Sequence, residues 1–243
     1  MVAARLINNK KKPLNLIALG KTGEGFEAFK QKQSTKSQTK DIETYTGFWS
    51  PLHPYMQDRK EFGCQIHVID TPGFGDSQKR DVEFFNIIHQ TIVNTAIHKG
   101  GIHCFLMVFK ITTNADTICK CIEILYELIP SHDQEFWKNI LFVFTHVDFV
   151  NGSAIRYDKH KMALKNLFLE LKVKYDIQHE VPMIWMSTRK YVCQFMKGMG
   201  ECDCERGNRY HADCRRRLFE QVWKRRNSPF ILIKEQDDDN NKA

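Results

Sequence analysis

Three short segments of the chain carry glycines, hydroxyl groups and carboxylates in a spacing suited to a phosphorylated ligand. The first follows the apolar run "LNLIAL" and comprises Gly20, Lys21, Thr22, Gly23, Glu24 and Gly25. Glycines let backbone N–H groups approach phosphate oxygens, and a helix N-terminus placed after them adds partial positive charge. The segment therefore predicts a phosphate-binding loop between a strand and a helix. The alternative is a glycine-rich turn without a ligand.

The two positions after this loop carry Phe26 and Glu27. A complete loop continues with a lysine that neutralises the terminal phosphates and a Ser or Thr that binds Mg²⁺. One unit charge about 4 Å from a phosphate is worth roughly 4 kcal/mol at an effective dielectric constant near 20. The exchange therefore predicts weakened binding of phosphates and Mg²⁺. Glu27 can also fill the anion site itself, because the helix dipole favours a carboxylate in the first turn.

The second segment, "VIDTPGFGDS", begins roughly 50 residues further on, at the end of an apolar run. We expect Asp70 to orient water on Mg²⁺ and the backbone amide of Gly73 to face the terminal phosphate. Phe74 follows Gly73, so no glutamine stands there to orient an attacking water.

The third segment ends the apolar run "NILFVF" with Thr145, His146, Val147 and Asp148. A carboxylate at a strand end can accept two hydrogen bonds from the N1–H and 2-amino groups of guanine, an arrangement that adenine lacks. His146 could lie over the base or the sugar. The alternative is a set of polar residues that merely end a strand.

Together, "LGKTGEG", "DTPGFGDS" and "FTHVD" resemble the avirulence-induced-gene type of GTPases, which include the GTPases of immunity-associated proteins. The resemblance covers roughly residues 13–190. It implies GTP or GDP as ligand, Mg²⁺ as cofactor and self-association across the nucleotide face. It also implies Thr39 as a metal-binding switch threonine and Ser187, followed by Thr188, as the last base-contacting loop. Lys21 belongs to the family pattern.

The elements around these segments alternate as in an α/β domain with a mostly parallel sheet. Predicted strands span 14–19, 64–70, 103–109, 139–145 and 181–187; predicted helices span 26–33, 80–98, 114–129 and 157–175. Residues 34–61 are polar and predict a loop with an edge strand. The predicted fold is the three-layer P-loop NTPase fold with a C-terminal helical extension.

The sequence predicts four regions along the chain. A basic tail (1–12) precedes the G domain (13–190), which is followed by a cysteine-containing loop and basic helix (191–232) and an acidic tail (233–243) predicted to be disordered. The helix has an apolar stripe of Leu218, Phe219, Val222 and Trp223. Basic residues surround the stripe: Arg215, Arg216, Arg217, Lys224, Arg225 and Arg226. A packed helix with a solvated basic face is favoured over weak contact with acidic membranes, and nucleic acid is disfavoured because no RNA-reading aromatic motif is present.

Cysteine and histidine cluster before and within this helix. The group comprises Cys193, Cys202, Cys204, His211 and Cys214. Thiolate and imidazole ligands could bind zinc, but Cys-x-Cys spacing without a second matched pair favours reduced thiols of a surface loop.

The composition is that of an ordinary globular chain. Of its 243 residues 42% are hydrophobic and 27% charged, and the net charge is +7. We expect a cytoplasmic protein, because the basic N-terminal residues precede no apolar leader and no run of about 18 apolar residues occurs.

Three functional hypotheses follow from these residues. The first is a guanine-nucleotide binder with little hydrolysis, and the second is a pseudo-GTPase interaction module with Glu27 in the anion site. The third, a competent GTPase with a relocated lysine, ranks last because Glu27 also disturbs the metal site.

Overall fold

Five of the six strands in the described part of the chain follow the apolar runs of the sequence. The structure is a computed structural model that describes residues 13–20, 42–49, 64–73, 81–129, 134–147, 154–187 and 205–232. Its strands are β1 (Leu14–Gly20), β2 (Glu43–Trp49), β3 (Cys64–Asp70), β4 (Cys104–Lys110), β5 (Ile140–Thr145) and β6 (Met183–Trp185). Central strands are apolar at successive positions because layers of helix cover both faces of the sheet.

Four α-helices and one 3₁₀ turn connect or follow these strands. They are α1 (Asp81–His98), α2 (Ala115–Leu128), the 3₁₀ turn (Gln134–Asn139), α3 (Ala154–Lys174) and α4 (Glu205–Lys224). The helix predictions for 80–98, 114–129 and 157–175 are confirmed, with small shifts at their ends. The helix predicted at 26–33 lies outside the described residues, and the 3₁₀ turn was not predicted.

The sheet has the strand order β2-β3-β1-β4-β5-β6. Only β2 runs antiparallel, beside β3, which confirms the edge strand predicted within 34–61. The other pairings are parallel, with Ala18 opposite Asp70 and Lys110 opposite Thr145. The carboxyl ends of β1, β3, β4, β5 and β6 therefore meet at one edge, and the predicted three-layer fold is confirmed.

Alternate residues of each strand face two separate apolar layers. Ile17 and Leu19 of β1 join one core with α1, α2 and α3, whereas Leu14 and Leu16 join the other core with α4. In α2 the residues predicted to face the sheet are all buried: Ile118, Ile122, Leu125 and Ile129. Burial of each such side chain contributes about 1.5–3 kcal/mol.

A buried polar cluster lies at the opposite, amino edge of the sheet. The side-chain amide of Asn15 donates to the carbonyls of Lys99 and Gly101, and its backbone N–H donates to His103 Nδ1 at 3.0 Å. Asn139 donates to the carbonyls of His103 and Ser228. Burial lowers the pKa of His103. The cluster ties the segment after α4 to the sheet far from the phosphate-loop edge.

Two predictions about α4 are wrong. Cys214 was expected in a surface loop or at a zinc site, but it is 1% exposed and faces the sheet from within the helix. Arg225 was expected on the solvated basic face, yet it is 8% exposed and its guanidinium donates to the carbonyls of Lys138 and Gln221, each at 2.6 Å. Both residues continue the apolar stripe, because positions 214, 218, 222 and 225 lie on one side of a helix.

The remaining basic residues of the helix keep the predicted arrangement. Arg215, Arg216, Arg217, Lys224 and Arg226 are exposed, and Leu218 and Val222 are buried. Cys193, Cys202 and Cys204 lie outside the described residues. Within the described ranges, no group of three or more His, Cys, Asp or Glu side chains could hold a metal ion. None of the helices in this part of the chain is long and apolar enough to cross a bilayer.

Candidate functional site at the carboxyl edge of the sheet

The first predicted site residue, Gly20, ends β1 at the carboxyl edge. It lies opposite Val108 of β4, and a Cβ atom at Gly20 would come within 2.5 Å of the Val108 carbonyl oxygen. Backbone that approaches another strand this closely tolerates only glycine. Gly20 is therefore required by the sheet itself, independently of any ligand, and it sets the point where the predicted phosphate loop leaves the strand.

Asp70 ends β3 beside this point, and Gly73 follows three residues later. Both are half-buried, whereas Thr71 between them is 6% exposed and its hydroxyl donates to the carbonyl of Ala18 at 2.9 Å. This bond fastens the segment after β3 to β1, two residues before β1 ends at Gly20. Sequence reasoning missed Thr71, although its place in "DTPG" was a usable signal.

Thr145 and His146 end β5 two strands away from β1. The Thr145 hydroxyl lies 3.3 Å from the Phe109 carbonyl and 2.9 Å from His146 Nδ1. His146 has φ 60°, the left-handed region that non-glycine residues seldom occupy. Such a conformation persists only where surrounding contacts hold it, and it is often found at functional sites.

Ser187 follows β6 and is 3% exposed. The segments after β5 and β6 are joined by two backbone bonds, from Met186 N–H to the Phe144 carbonyl at 2.9 Å and from Val147 N–H to the Met186 carbonyl at 3.2 Å. These bonds extend the parallel pairing beyond the strands. They bring together Thr145, His146 and Ser187, the three predicted base-site residues that the structure describes.

The carboxyl edge also carries a cation that sequence reasoning missed. Lys110 ends β4 between Gly20 and Thr145, opposite Thr145 in the sheet register, and is half-buried. The order of the strands, which the sequence alone does not display, places it between the predicted phosphate and base segments.

Other predicted site residues lie outside the described residues, so their roles stay predictions. They are Lys21, Thr22, Gly23, Glu24, Gly25, Phe26, Glu27, Thr39 and Asp148. The described site residues fall into two groups, one at the ends of β1 and β3 and one at the ends of β5 and β6. In open α/β sheets ligands bind outside the carboxyl ends of the strands, which is the edge that both groups occupy.

A mostly parallel sheet with this strand order and these edge residues defines the P-loop GTPase fold. A sequence model of the AIG1 family matches residues 14–175, two thirds of the 243-residue chain. The chain therefore belongs to the AIG1 family. The family resemblance inferred from the three motifs is confirmed.

The chain is also similar to individual proteins of known sequence or structure. The chain is 29% identical over 145 residues to GTP-binding protein A of Dictyostelium discoideum, a match that covers 56% of this chain. The match spans 28% of the length of that relative. Two structures of Toc33 from Arabidopsis thaliana, one a dimerization-deficient mutant and one in complex with GDP and Mg²⁺, each have a TM-score of 0.60. They are 12% and 14% identical to this chain in sequence. Each match covers 88% of this chain, and it covers 85% and 86% of the two Toc33 chains respectively.

Proposed function

We propose that this chain binds guanine nucleotides, GDP or GTP, at the carboxyl edge of its sheet, with weakened phosphate and Mg²⁺ binding and little hydrolysis. The observation that carries the proposal is the joining of the segments after β5 and β6. Val147 N–H and Met186 N–H bond across them and hold Thr145, His146 and Ser187 in one place. Three motifs in their expected order and membership of the AIG1 family support the same ligand.

The base would be read at the ends of β5 and β6. Asp148 directly follows Val147 in the chain, and its carboxylate accepts from the N1–H and 2-amino groups of guanine. The backbone of His146 is held in the left-handed region shortly before Asp148 in the chain, and the buried Ser187 follows β6, so both residues are proposed to contribute to the base site. Two hydrogen bonds to one carboxylate distinguish guanine from adenine because adenine offers no such pair of donors.

The phosphates would be held mainly by backbone N–H groups of the loop that begins at Gly20. Phe26 and Glu27 remove the lysine charge and the metal-binding hydroxyl, and Glu27 adds a repelling carboxylate. A loss of about 1.4 kcal/mol lowers affinity tenfold, so loss of a contact worth several kcal/mol lowers it by orders of magnitude. Hydrolysis suffers more than binding, because charge builds up on the phosphate oxygens in the transition state.

Among the described residues, the half-buried carboxylate of Asp70 is the donor that the motif assigns to Mg²⁺. This donor set fits Mg²⁺ that arrives with a nucleotide, because such ions keep several waters and take one or two protein carboxylates together with phosphate oxygens. Asp70, with Thr39 as the second predicted ligand, would hold the ion. Bound Mg²⁺ neutralises phosphate charge. Thr71 keeps Asp70 in place through its bond to Ala18.

The alternative is a pseudo-GTPase interaction module that binds no nucleotide. One observation favours it: Glu27 stands in the first turn of the predicted helix, where its own carboxylate can occupy the anion site. In that case the edge residues described above would stabilise a partner-binding surface instead of a ligand.

Calorimetry with GDP and GTP, with and without Mg²⁺, separates the two functions. The proteins are the native chain and the Phe26→Lys/Glu27→Ser variant, with ADP as the control ligand. Micromolar GDP binding by the native chain, strengthened in the variant, supports the proposal. Binding by the variant alone supports the pseudo-GTPase, and GDP binding by neither protein rejects the assignment of the motifs.

Self-association across the nucleotide face is the regulatory mode that we propose alongside binding. Its support is by analogy: a structure with a TM-score of 0.59 and 13% identity is described as showing that dimerization is important for the GTPase activity of the chloroplast translocon components atToc33 and psToc159. Sedimentation velocity with and without GDP tests it. A nucleotide-dependent dimer supports this mode, and a monomer under both conditions rejects it.

A further inference from the structure

A tyrosine of the C-terminal helix contacts the segment after β5. Tyr210 of α4 is half-buried, and its hydroxyl donates to the backbone carbonyl of Val147 at 2.5 Å, across 63 residues of chain. Helix α4 lies outside the residues 14–175 that match the AIG1 family. The contact therefore links a part of the chain beyond the family segment to the backbone that precedes Asp148.

A second contact lies one helical turn further along α4. Residues four apart are neighbours on a helix face, so Cys214 lies beside Tyr210. The buried Cys214 thiol donates to the carbonyl of Trp185 at 3.7 Å, next to Met186 and Ser187. One face of α4 thus touches the segment after β5 and the last residue of β6, and the Tyr210 contact falls on the residue that precedes the predicted base carboxylate in sequence.

Both backbone groups of Val147 are bonded to other elements. Its N–H donates to Met186 and its carbonyl accepts from Tyr210. Val147 comes directly after His146, whose left-handed conformation costs free energy and needs such contacts to persist. The direction in which the chain leaves Val147 fixes where Asp148 begins. Loss of the Tyr210 bond would leave the backbone at Val147 less constrained without removing any group proposed to touch the base.

We propose that Tyr210 is a positioning residue for the segment Thr145–Val147, which leads to the predicted base carboxylate, so that α4 affects the affinity and the base selectivity of the nucleotide site. This inference rests on the proposed function. Tyr210 acts through Val147 and needs no contact with the ligand. Displacing or covering α4 would then weaken nucleotide binding from outside the G domain.

The test compares Tyr210→Phe with a matched control, Tyr126→Phe. Tyr126 packs against Trp137 and Tyr175 in the core on the other side of the sheet. Each variant is made in the native chain and in the Phe26→Lys/Glu27→Ser chain, where phosphate binding is restored. Calorimetry measures affinity for GDP and for IDP, which lacks the 2-amino group read by Asp148. Thermal unfolding checks that every variant is folded.

We expect Tyr210→Phe to weaken GDP binding about three- to tenfold, the usual effect of one lost hydrogen bond. The preference for GDP over IDP should fall as well, since a misplaced Asp148 reads the 2-amino group less well. A purely structural hydroxyl would lower the unfolding temperature and leave this preference unchanged. Tyr126→Phe should leave both affinities as they are.

Two results overturn the inference, and they are distinguishable. If the restored chain binds GDP and Tyr210→Phe changes neither its affinity nor its preference over IDP, the role of Tyr210 alone is rejected. If the restored chain does not bind GDP, the proposed function is rejected and the role of Tyr210 with it.

Discussion

The backbone N–H of Val147 donates to the carbonyl of Met186 at 3.2 Å. This bond continues the β5–β6 pairing past Thr145 and Trp185, where the strands themselves end. It joins the segment after β5, which the sequence motif identified, to the segment after β6, which only the family resemblance indicated. This pairing brings the segment that carries Ser187 beside the segment that carries His146.

Gly20 should resist substitution for reasons of packing alone. A Cβ at this position meets the Val108 carbonyl oxygen at 2.5 Å, a contact that forces one strand to move. We expect Gly20→Ala to lower the free energy of unfolding by about 1–3 kcal/mol, as overpacked sites do. Urea unfolding provides the measurement.

Gly47 in the edge strand β2 supplies the matched control, because a Cβ there meets nothing within 4 Å. Gly47→Ala should cause no loss of stability, since alanine costs less conformational entropy than glycine in a strand. Equal destabilisation by the two changes would contradict the close approach of β1 and β4.

Thr71 should contribute through its hydroxyl. Thr71→Val keeps the shape of the side chain and removes the bond to the Ala18 carbonyl, so the free energy of unfolding should fall by about 1 kcal/mol. If GDP binds, its affinity should fall too, because the segment from Asp70 to Gly73 loses one of its bonds to β1. Thr91→Val is the comparison, since the Thr91 hydroxyl only bonds the Ile87 carbonyl of its own helix on the surface. A Thr71→Val protein as stable as the native one would argue against this tie.

His103 should make stability depend on pH. Burial lowers its pKa in the folded state below the ordinary value of 6.5, and Nδ1 accepts a hydrogen bond from Asn15 N–H, so the neutral ring is preferred. The unfolded chain then binds more protons than the folded chain as pH falls through 6.5. The stabilisation is present above pH 6.5 and is lost progressively below it.

Urea unfolding measured between pH 5 and pH 8 tests this effect, because these pH values lie on both sides of the ordinary histidine pKa. His103→Asn should have a shallower pH dependence than the native chain over the acidic half of this range. His98→Gln, at an exposed position ending α1, serves as the control and should keep the native profile. If the free energy of unfolding of His103→Asn changes with pH as steeply as that of the native chain, His103 is not the cause of the pH dependence.

Arg225 should matter more for stability than its basic neighbours. Its guanidinium donates to the carbonyls of Lys138 and Gln221 from an almost buried position, so Arg225→Met leaves the Lys138 carbonyl without this donor. Hydrogen bonds from charged groups contribute about 1.5–3 kcal/mol, and we expect a loss of that size. Arg215→Met, at an exposed position on the same helix, should change stability by less than about 0.5 kcal/mol. Similar losses for the two variants would refute a special role for the buried guanidinium.

The sequence by itself determined the class of fold and the order of its motifs. Continuous apolar runs such as "ILFVF" between turn residues indicate strands covered on both faces, and the 3.6-residue period of Ile118, Ile122 and Leu125 indicates a helix facing the sheet. The replacement of two charge- and metal-binding positions by Phe26 and Glu27 is likewise visible in the sequence alone.

Only the tertiary structure decided which distant residues meet. Cys214 and Arg225 carry a thiol and a charge that local patterns assign to the surface, yet the packing of α4 buries both. Lys110 reaches the carboxyl edge through strand order, and Tyr210 reaches Val147 through the packing of a helix 63 residues away. Local propensity and periodicity act between near neighbours in the chain. Pairing between strands and the packing of α4 bury both faces of the sheet at once. These contacts join residues distant in the chain, so they form only when the whole domain folds.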